Sequence, residues 1–540
     1  MTEPAREPSA GAVQVAQYQL GNAVLVRGEG IRSWDSTGRE YLDCVSGTFN
    51  LVLGHNHPEV MAAVRAQTEE LVFASSSFRT EPTDRLMCDL VDLAPAGLTR
   101  VNLRSSGGST ANEGAIKIAR HHTGRRDVIV PFRGHVGQTI AATAFNGSSR
   151  MRAPFPAHAA GALHVPDAYC FRCFYRQTPD TCGMLCVERI EDFITYASSG
   201  SVACVLIEPI SGMGGNIVPP PGYFQALRAL CDEHGIVLIF DEIQTAFGRT
   251  GEMFAADHFG VAPHMMTVSK GLTGSGLPLA AILTEERMAD WDRSLHGFTY
   301  GGHTLAAAAA VKTLEIVRRP GFLANVRRVG AILSERLRAL QREHPVLGDI
   351  RGPGLMIGVE LVRPDGAKAP ELAQAFQRHL HARGILTRVS EHGLGNVIEL
   401  RPPLILTPTD AHLIADGFGE ALEMLRTQTA HPGPTAQTAP ASAARLGSAA
   451  ASASATRTGP APASAPRTAS AAAAHAGPTP APAARTAAAA PTAAAARSGP
   501  ETRSVPEARS GRPAAGTPCP PVRPAEPAAA TTTTPSDSRE

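Results

Sequence analysis

Short apolar runs alternate with amphipathic stretches through the middle of this chain. The runs are Val101–Leu103, Val128–Phe132, Val202–Glu208, Ile236–Asp241, Met266–Ser269 and Leu277–Leu283. Each reads as a strand, and the stretches between them carry helical spacing. Near-continuous apolar runs belong to strands covered on both faces, so the pattern predicts a mostly parallel sheet flanked by helices. Upstream, Val24 to Asp43 reads as short strands around the turn Asp35-Ser-Thr-Gly38. Helical spacing then runs from Pro58 to about Glu70. From Leu305 the pattern turns helical, and Gly354–Leu361 and Val397–Leu400 add strands. The expected organisation is α/β. A large domain spans residues 61–310. A small α+β domain is built from residues 1–60 and 311–428. No internal repeat is present.

Composition changes the picture after about Arg426. From there to Glu540 the chain is almost entirely Ala, Pro, Thr, Ser, Gly and Arg, with no acidic residue between Glu423 and Glu501. Such a segment has little to bury, so residues 429–540 are expected to be a disordered tail. The formal net charge of +1, with both signs interspersed, gives no reason to expect nucleic acid or membrane as a partner. The amino terminus lacks a signal-peptide core, and no stretch is apolar enough to span a bilayer. An odd cysteine count of 9 without a leader points to reduced thiols and a cytoplasmic location. Cys170, Cys173, Cys182 and Cys186 cluster in sequence. Free thiols in a surface loop are a simpler reading than a zinc site, and no metal is expected.

The candidate chemistry lies at two strand ends. Asp241 ends one apolar run, and Lys270 ends the next before a glycine-rich loop. At the carboxyl ends of neighbouring strands they would face one crevice. That pairing suits pyridoxal 5'-phosphate (PLP): an amine for the Schiff base and a carboxylate for the pyridinium nitrogen. A third segment, Ser105 to Glu113, follows a strand and opens a helix, with Thr110 and Glu113 spaced as a capping box. Its Gly107, Gly108 and Ser109 could cradle a phosphate. An ordinary capped helix explains that segment equally well when taken alone. Asp241 would also suit a Walker B acid, but the chain has no G-x-x-x-x-G-K-[ST] loop.

Taken in order, the motifs resemble one family. They are Trp34-Asp35-x-x-Gly38, Gly54-His55-x-His57-Pro58, Gly108-Ser109-x-Ala111-Asn112-Glu113, Glu208-Pro209-x-x-Gly212, Asp241-Glu242-x-Gln244-Thr245, Ser269-Lys270-Gly271 and Thr299-Tyr300-Gly301-Gly302. Over about Val24 to Leu425 the chain resembles the class III (omega) aminotransferases, PLP enzymes of fold type I. The resemblance implies an amino-group transfer from a primary amine or amino acid to an oxo acid or aldehyde. It implies that Lys270 holds PLP and shuttles the proton, and that Asp241 holds the ring nitrogen. Gln244 would meet the phenolic oxygen, Ile243 one ring face, and Gly108 and Ser109 the phosphate. Glu208 would be a supporting acid. Thr299 would reach the phosphate of a neighbouring subunit, making a homodimer with shared sites. Thr48 and Phe49 would line the substrate pocket.

Several positions depart from the family pattern. His135 takes the place of the ring-stacking aromatic. Glu399 stands where many members carry a carboxylate-binding arginine, and Arg401 lies two residues on, on the same strand face. Either Arg401 substitutes, or the substrate lacks an α-carboxylate and Glu399 meets a cationic group. A PLP-dependent racemase or epimerase and an amino-alcohol phosphate phospholyase are alternatives within the family. A catalytically silent scaffold is the alternative outside it.

Overall fold

The computed structural model describes residues 23–155, 161–390 and 395–430. The expected tail therefore lies outside the described residues, apart from its first two positions. A seven-stranded sheet organises the middle of the chain. Its strands, in chain order, are β1 (Leu98–Ser105), β2 (Asp127–Pro131), β3 (Ala162–Val165), β4 (Val202–Ile207), β5 (Val237–Asp241), β6 (Met265–Val268) and β7 (Ala280–Glu285). They lie in the order β1-β7-β6-β5-β4-β2-β3. All neighbouring pairs are parallel except those made by β7, which runs antiparallel to both β6 and β1. The expected strands are all present, with ends shifted by up to three residues. β3 was not anticipated, because its four residues Ala-Leu-His-Val are too few for a pattern.

Alternate residues of each strand enter different cores. Leu238 and Phe240 of β5 join Ile129, Val205, Ile207, Phe224 and Leu272 on one face. Val237 and Ile239 join Ala115, Ile116, Val128, Leu206 and Met265 on the other. That second face is covered by the helix Gly108–Thr123. Parity therefore aims Asp241, two residues past Ile239, toward this helix. The register places Asp241 beside Thr267 on β6.

A third core gathers residues far apart in sequence: Ile31, Leu53 and Val60 with Leu333, Ile357, Phe376, Ile398 and Phe418. The strand Ile385–Leu386 pairs in parallel with Glu40–Asp43, so the early strands close against the late ones. The helix Pro58–Glu70 has the expected bounds. The Thr110–Glu113 capping box does not form. The helix begins at Gly108, the Thr110 hydroxyl bonds Gly107, and Glu113 instead accepts from Thr139 and the Ala142 N–H at the next helix start.

Candidate active site

Asp241 and Lys270 leave adjacent parallel strands at the same sheet edge. Asp241 is buried, and its carboxylate is fixed on both oxygens. Asn112 Nδ2 donates to Oδ2 at 2.7 Å, and the Ile243 N–H donates to Oδ1 at 3.0 Å. Asn112 is itself held: its amide donates to Val136 O at 2.8 Å and accepts from the Thr267 hydroxyl at 2.7 Å. Burial raises Asp241 to about 6, opposed by the Asn112 bond, the Ile243 N–H and the Lys270 charge. Lys270 opens a short 3₁₀ turn, Lys270–Thr273, with a backbone φ of 38° that few non-glycine residues adopt. Burial lowers its amine to about 8. Arg401 and Arg388 lower it further, while Asp241 and Glu208 oppose them. The two groups thus feel one another's charge.

Around this pair the sequence-predicted residues fall as follows. The Glu208 carboxylate accepts from the His135 N–H at 3.0 Å and the Gly212 N–H at 2.9 Å. Burial, then Asp241's charge, pushes Glu208 up to about 8. Gln244 Oε1 accepts from Arg401 at 2.8 Å. Ile243 packs on Gly108, where an added Cβ would stand 2.8 Å from Ile243 Cδ1. Ser109 Oγ accepts from the Gln138 N–H at 3.1 Å at the helix start. Beside Gly107 an added Cβ would meet nothing within 4 Å, and the buried Ser105 hydroxyl has no partner among the described residues. A helix N-terminus with open space and an orphan hydroxyl fits a phosphate. Together with the amine and the carboxylate, the donor set fits PLP.

Residues 13–422 match the family described as aminotransferase class-III. This chain is a class III aminotransferase. It is 38% identical over 399 residues to the acetylornithine aminotransferase of Myxococcus xanthus, covering 72% of this chain and 90% of that one. It is 34% identical over 393 residues to a leucine/methionine racemase of Thermococcus litoralis, covering 71% and 86%. Among solved structures, it resembles a taurine:2-oxoglutarate aminotransferase from Bifidobacterium kashiwanohense, in complex with PLP and glutamate. That match has a TM-score of 0.71 and 31% identity, and covers 75% of this chain and 93% of that one. The fold is that of the fold type I PLP transaminases. The class is PLP-dependent, and this aminotransferase moves amino groups between small molecules. Among the described residues no helix is long and apolar enough to cross a membrane.

The remaining positions of the aminotransferase show what the sequence left open. Thr299 is exposed, in a turn resting on the end of β1; the Phe298 N–H bonds Arg104 O at 3.1 Å. Thr48 is exposed and Phe49 buried, the latter at a φ of 66°. Glu399 and Arg401 are both fully buried, 3.3 Å apart. Arg401 also donates to Gln244, to Gly212 O at 2.7 Å and to Asn216 Oδ1 at 2.9 Å. Its fork is occupied within the protein. Cys170, Cys173, Cys182 and Cys186 border one pocket as free thiols, and no metal-holding group of three occurs among the described residues. Sequence reasoning missed the clamping role of Asn112 and missed Asn216 and Arg388 altogether. Asn112 was visible inside the Ala111-Asn112-Glu113 motif, and strand parity could have aimed Asp241 at the helix that carries it.

Proposed function

We propose that Lys270 is the catalytic amine of this aminotransferase and Asp241 its catalytic carboxylate. The single observation that carries the reading is their placement at the ends of adjacent parallel strands, where each feels the other's charge. When bound, PLP supplies an electron sink for the carbanion formed at the substrate carbon. This chain's residues supply the rest. Lys270 would take and return the substrate proton at its Nζ. Asp241, held by Asn112, would keep a proton on the ring nitrogen. Gln244 would face the phenolic oxygen, Ile243 and His135 would enclose the ring, and Gly108 and Ser109 would hold the phosphate. Glu208 would position the His135 and Gly212 backbones around them.

We further propose a homodimer in which Thr299 reaches the partner's phosphate. Thr299 stands in an exposed turn beside an aromatic patch: Phe73 lies 6.0 Å from Tyr300 and 5.5 Å from His303, ring centre to ring centre.

Borohydride reduction of the PLP-loaded protein, followed by peptide mass mapping, tests the central assignment. The expected product is a phosphopyridoxyl group on Lys270, absent from Lys270→Ala. Label on another lysine would overturn the assignment. The similarity to a racemase makes a second reaction worth separating. A transaminase given an amino donor alone loses its visible cofactor band until an oxo acid is added. A racemase interconverts enantiomers with no acceptor present.

A further inference from the structure

We infer that Arg401 is a positioning residue: it fixes the Gln244 side chain with the amide oxygen turned from the cofactor and the amide NH2 turned toward it. The inference deepens the reading above and rests on its placement of Gln244 at the phenolic oxygen of PLP. Arg401 Nη1 donates to Gln244 Oε1 at 2.8 Å. A guanidinium has five N–H donors and no acceptor, so only the oxygen of the amide can face it. The choice between the two flips of Gln244 is thereby settled by chemistry. Its Nε2 is left for the other side, where a phenolic oxygen carrying negative charge needs a donor. The opposite flip would set a carbonyl oxygen against that charge.

The surroundings of Arg401 hold it to this task. Arg401, Gln244 and Asn216 are all buried. Arg401 Nε donates to Asn216 Oδ1 at 2.9 Å, and Nη2 donates to the same oxygen and to Gly212 O, the latter at 2.7 Å. The Glu399 carboxylate stands 3.3 Å from Nη2. The Phe49 ring covers the guanidinium, with its centre 4.0 Å from the guanidinium carbon. All three nitrogens thus have acceptors within the protein. A two-pronged grip on a substrate carboxylate would have to break bonds on Nη1 or Nη2. Gly212 closes the arrangement from another side. A Cβ added there would stand 2.7 Å from both Gln244 Nε2 and Oε1 and 2.8 Å from Cδ, so the amide lies face-on against this glycine. The Gly212 N–H donates to Glu208 at 2.9 Å, which joins Glu208, Gly212, Arg401 and Gln244 into one connected set. Burial works against the Arg401 charge, and Glu399 and then Glu208 oppose that. On this account Glu399 is the counter-charge of a buried arginine, and Arg401 does not substitute for the family's carboxylate-binding one.

The test titrates the full-length PLP-loaded enzyme with base and follows its visible absorption. A donor on the phenolic oxygen favours the deprotonated, more negative form, so it lowers the pH at which the visible cofactor band fades. Gln244→Ala and Arg401→Met are each expected to raise that pH by about 1, roughly a tenfold change in proton affinity. The two are then combined in a double-mutant cycle. Because Arg401 acts through Gln244, Arg401→Met should shift the transition less than about half as far in the Gln244→Ala background as in the native protein. Equal shifts in both backgrounds would reduce Arg401 to a distant charge and overturn the inference, as would no shift in either. Fading of the band in single turnovers adds a second arm. Arg401→Met should slow it by about the same factor for L-alanine and for benzylamine, which has no carboxylate. A loss confined to L-alanine would assign Arg401 to the substrate and overturn the inference. An unshifted Gln244→Ala would remove the placement of Gln244 and this inference with it, whereas a shifted one with an additive cycle removes this inference alone. Borohydride labelling of Lys270 in each variant keeps both outcomes distinct from failure of the Lys270 assignment. If Arg401→Met does not fold, Arg401→Lys, which keeps the charge and loses the fork, carries the same cycle.

Discussion

At the scale of single residues, the site depends on depressed basicity and fixed carboxylates. An ordinary lysine is protonated up to about pH 10.4 and captures an aldehyde slowly at neutral pH. Lys270 is lowered to about 8, chiefly by burial. Only the neutral amine attacks, so PLP capture by the apoprotein should rise from pH 7 to 9 and level off above that. Stopped-flow rates across that range would show it, and a rise continuing past pH 10 would contradict it. The same shift bears on stability. A base whose folded value is lowered penalises the folded state below that value, and the penalty fades as pH rises from about 8 toward the unfolded value. Lys270 and Asp241 were legible in the sequence because strand ends and glycine loops mark them. The role of Arg401 was legible only in part. Strand parity places it on the face of Glu399, but sequence does not show that Gln244, Gly212 and Asn216 converge on its fork from distant segments. Arg388 was not legible, because a two-residue strand leaves no periodic trace.

At the scale of elements, close packing of backbones sets the geometry. The helix Phe322–Glu343 crosses the loop before the strand Ile357–Leu361 at Gly330, where an added Cβ would stand 2.1 Å from Gly354 O. Gly354 in turn lies against Arg249 and Thr250, just beyond the Asp241–Gln244 segment. Gly330→Ala would force the helix off this contact at a cost of about 1–3 kcal/mol. Thermal unfolding should show a lower midpoint, and an unchanged midpoint would mean the helix shifts freely. The strands of the large sheet were readable because both their faces are apolar. The sheet order was not read from the sequence, since β1 and β7 meet at one edge although more than 150 residues separate them. Nor was the pairing of Ile385–Leu386 with Glu40–Asp43, which joins the early and late strands.

At the scale of the whole molecule, the question is whether one chain completes the site. If Thr299 serves the partner's phosphate, cofactor retention depends on assembly. Diluting the enzyme until dimers part should release PLP, followed by loss of its visible absorbance. Thr299→Ala should weaken PLP binding roughly 10-fold or more at concentrations where dimers persist. Retention independent of protein concentration would refute the shared site. One further consequence follows from how the pocket is closed. The Ser46 hydroxyl bonds Arg401 O across 355 positions, and the Arg401 N–H bonds Cys44 O at 2.8 Å. During synthesis on the ribosome, the strands carrying Asp241 and Lys270 emerge well before Arg401 does. The Cys44–Ser46 segment therefore finds these partners only once translation has passed this late strand.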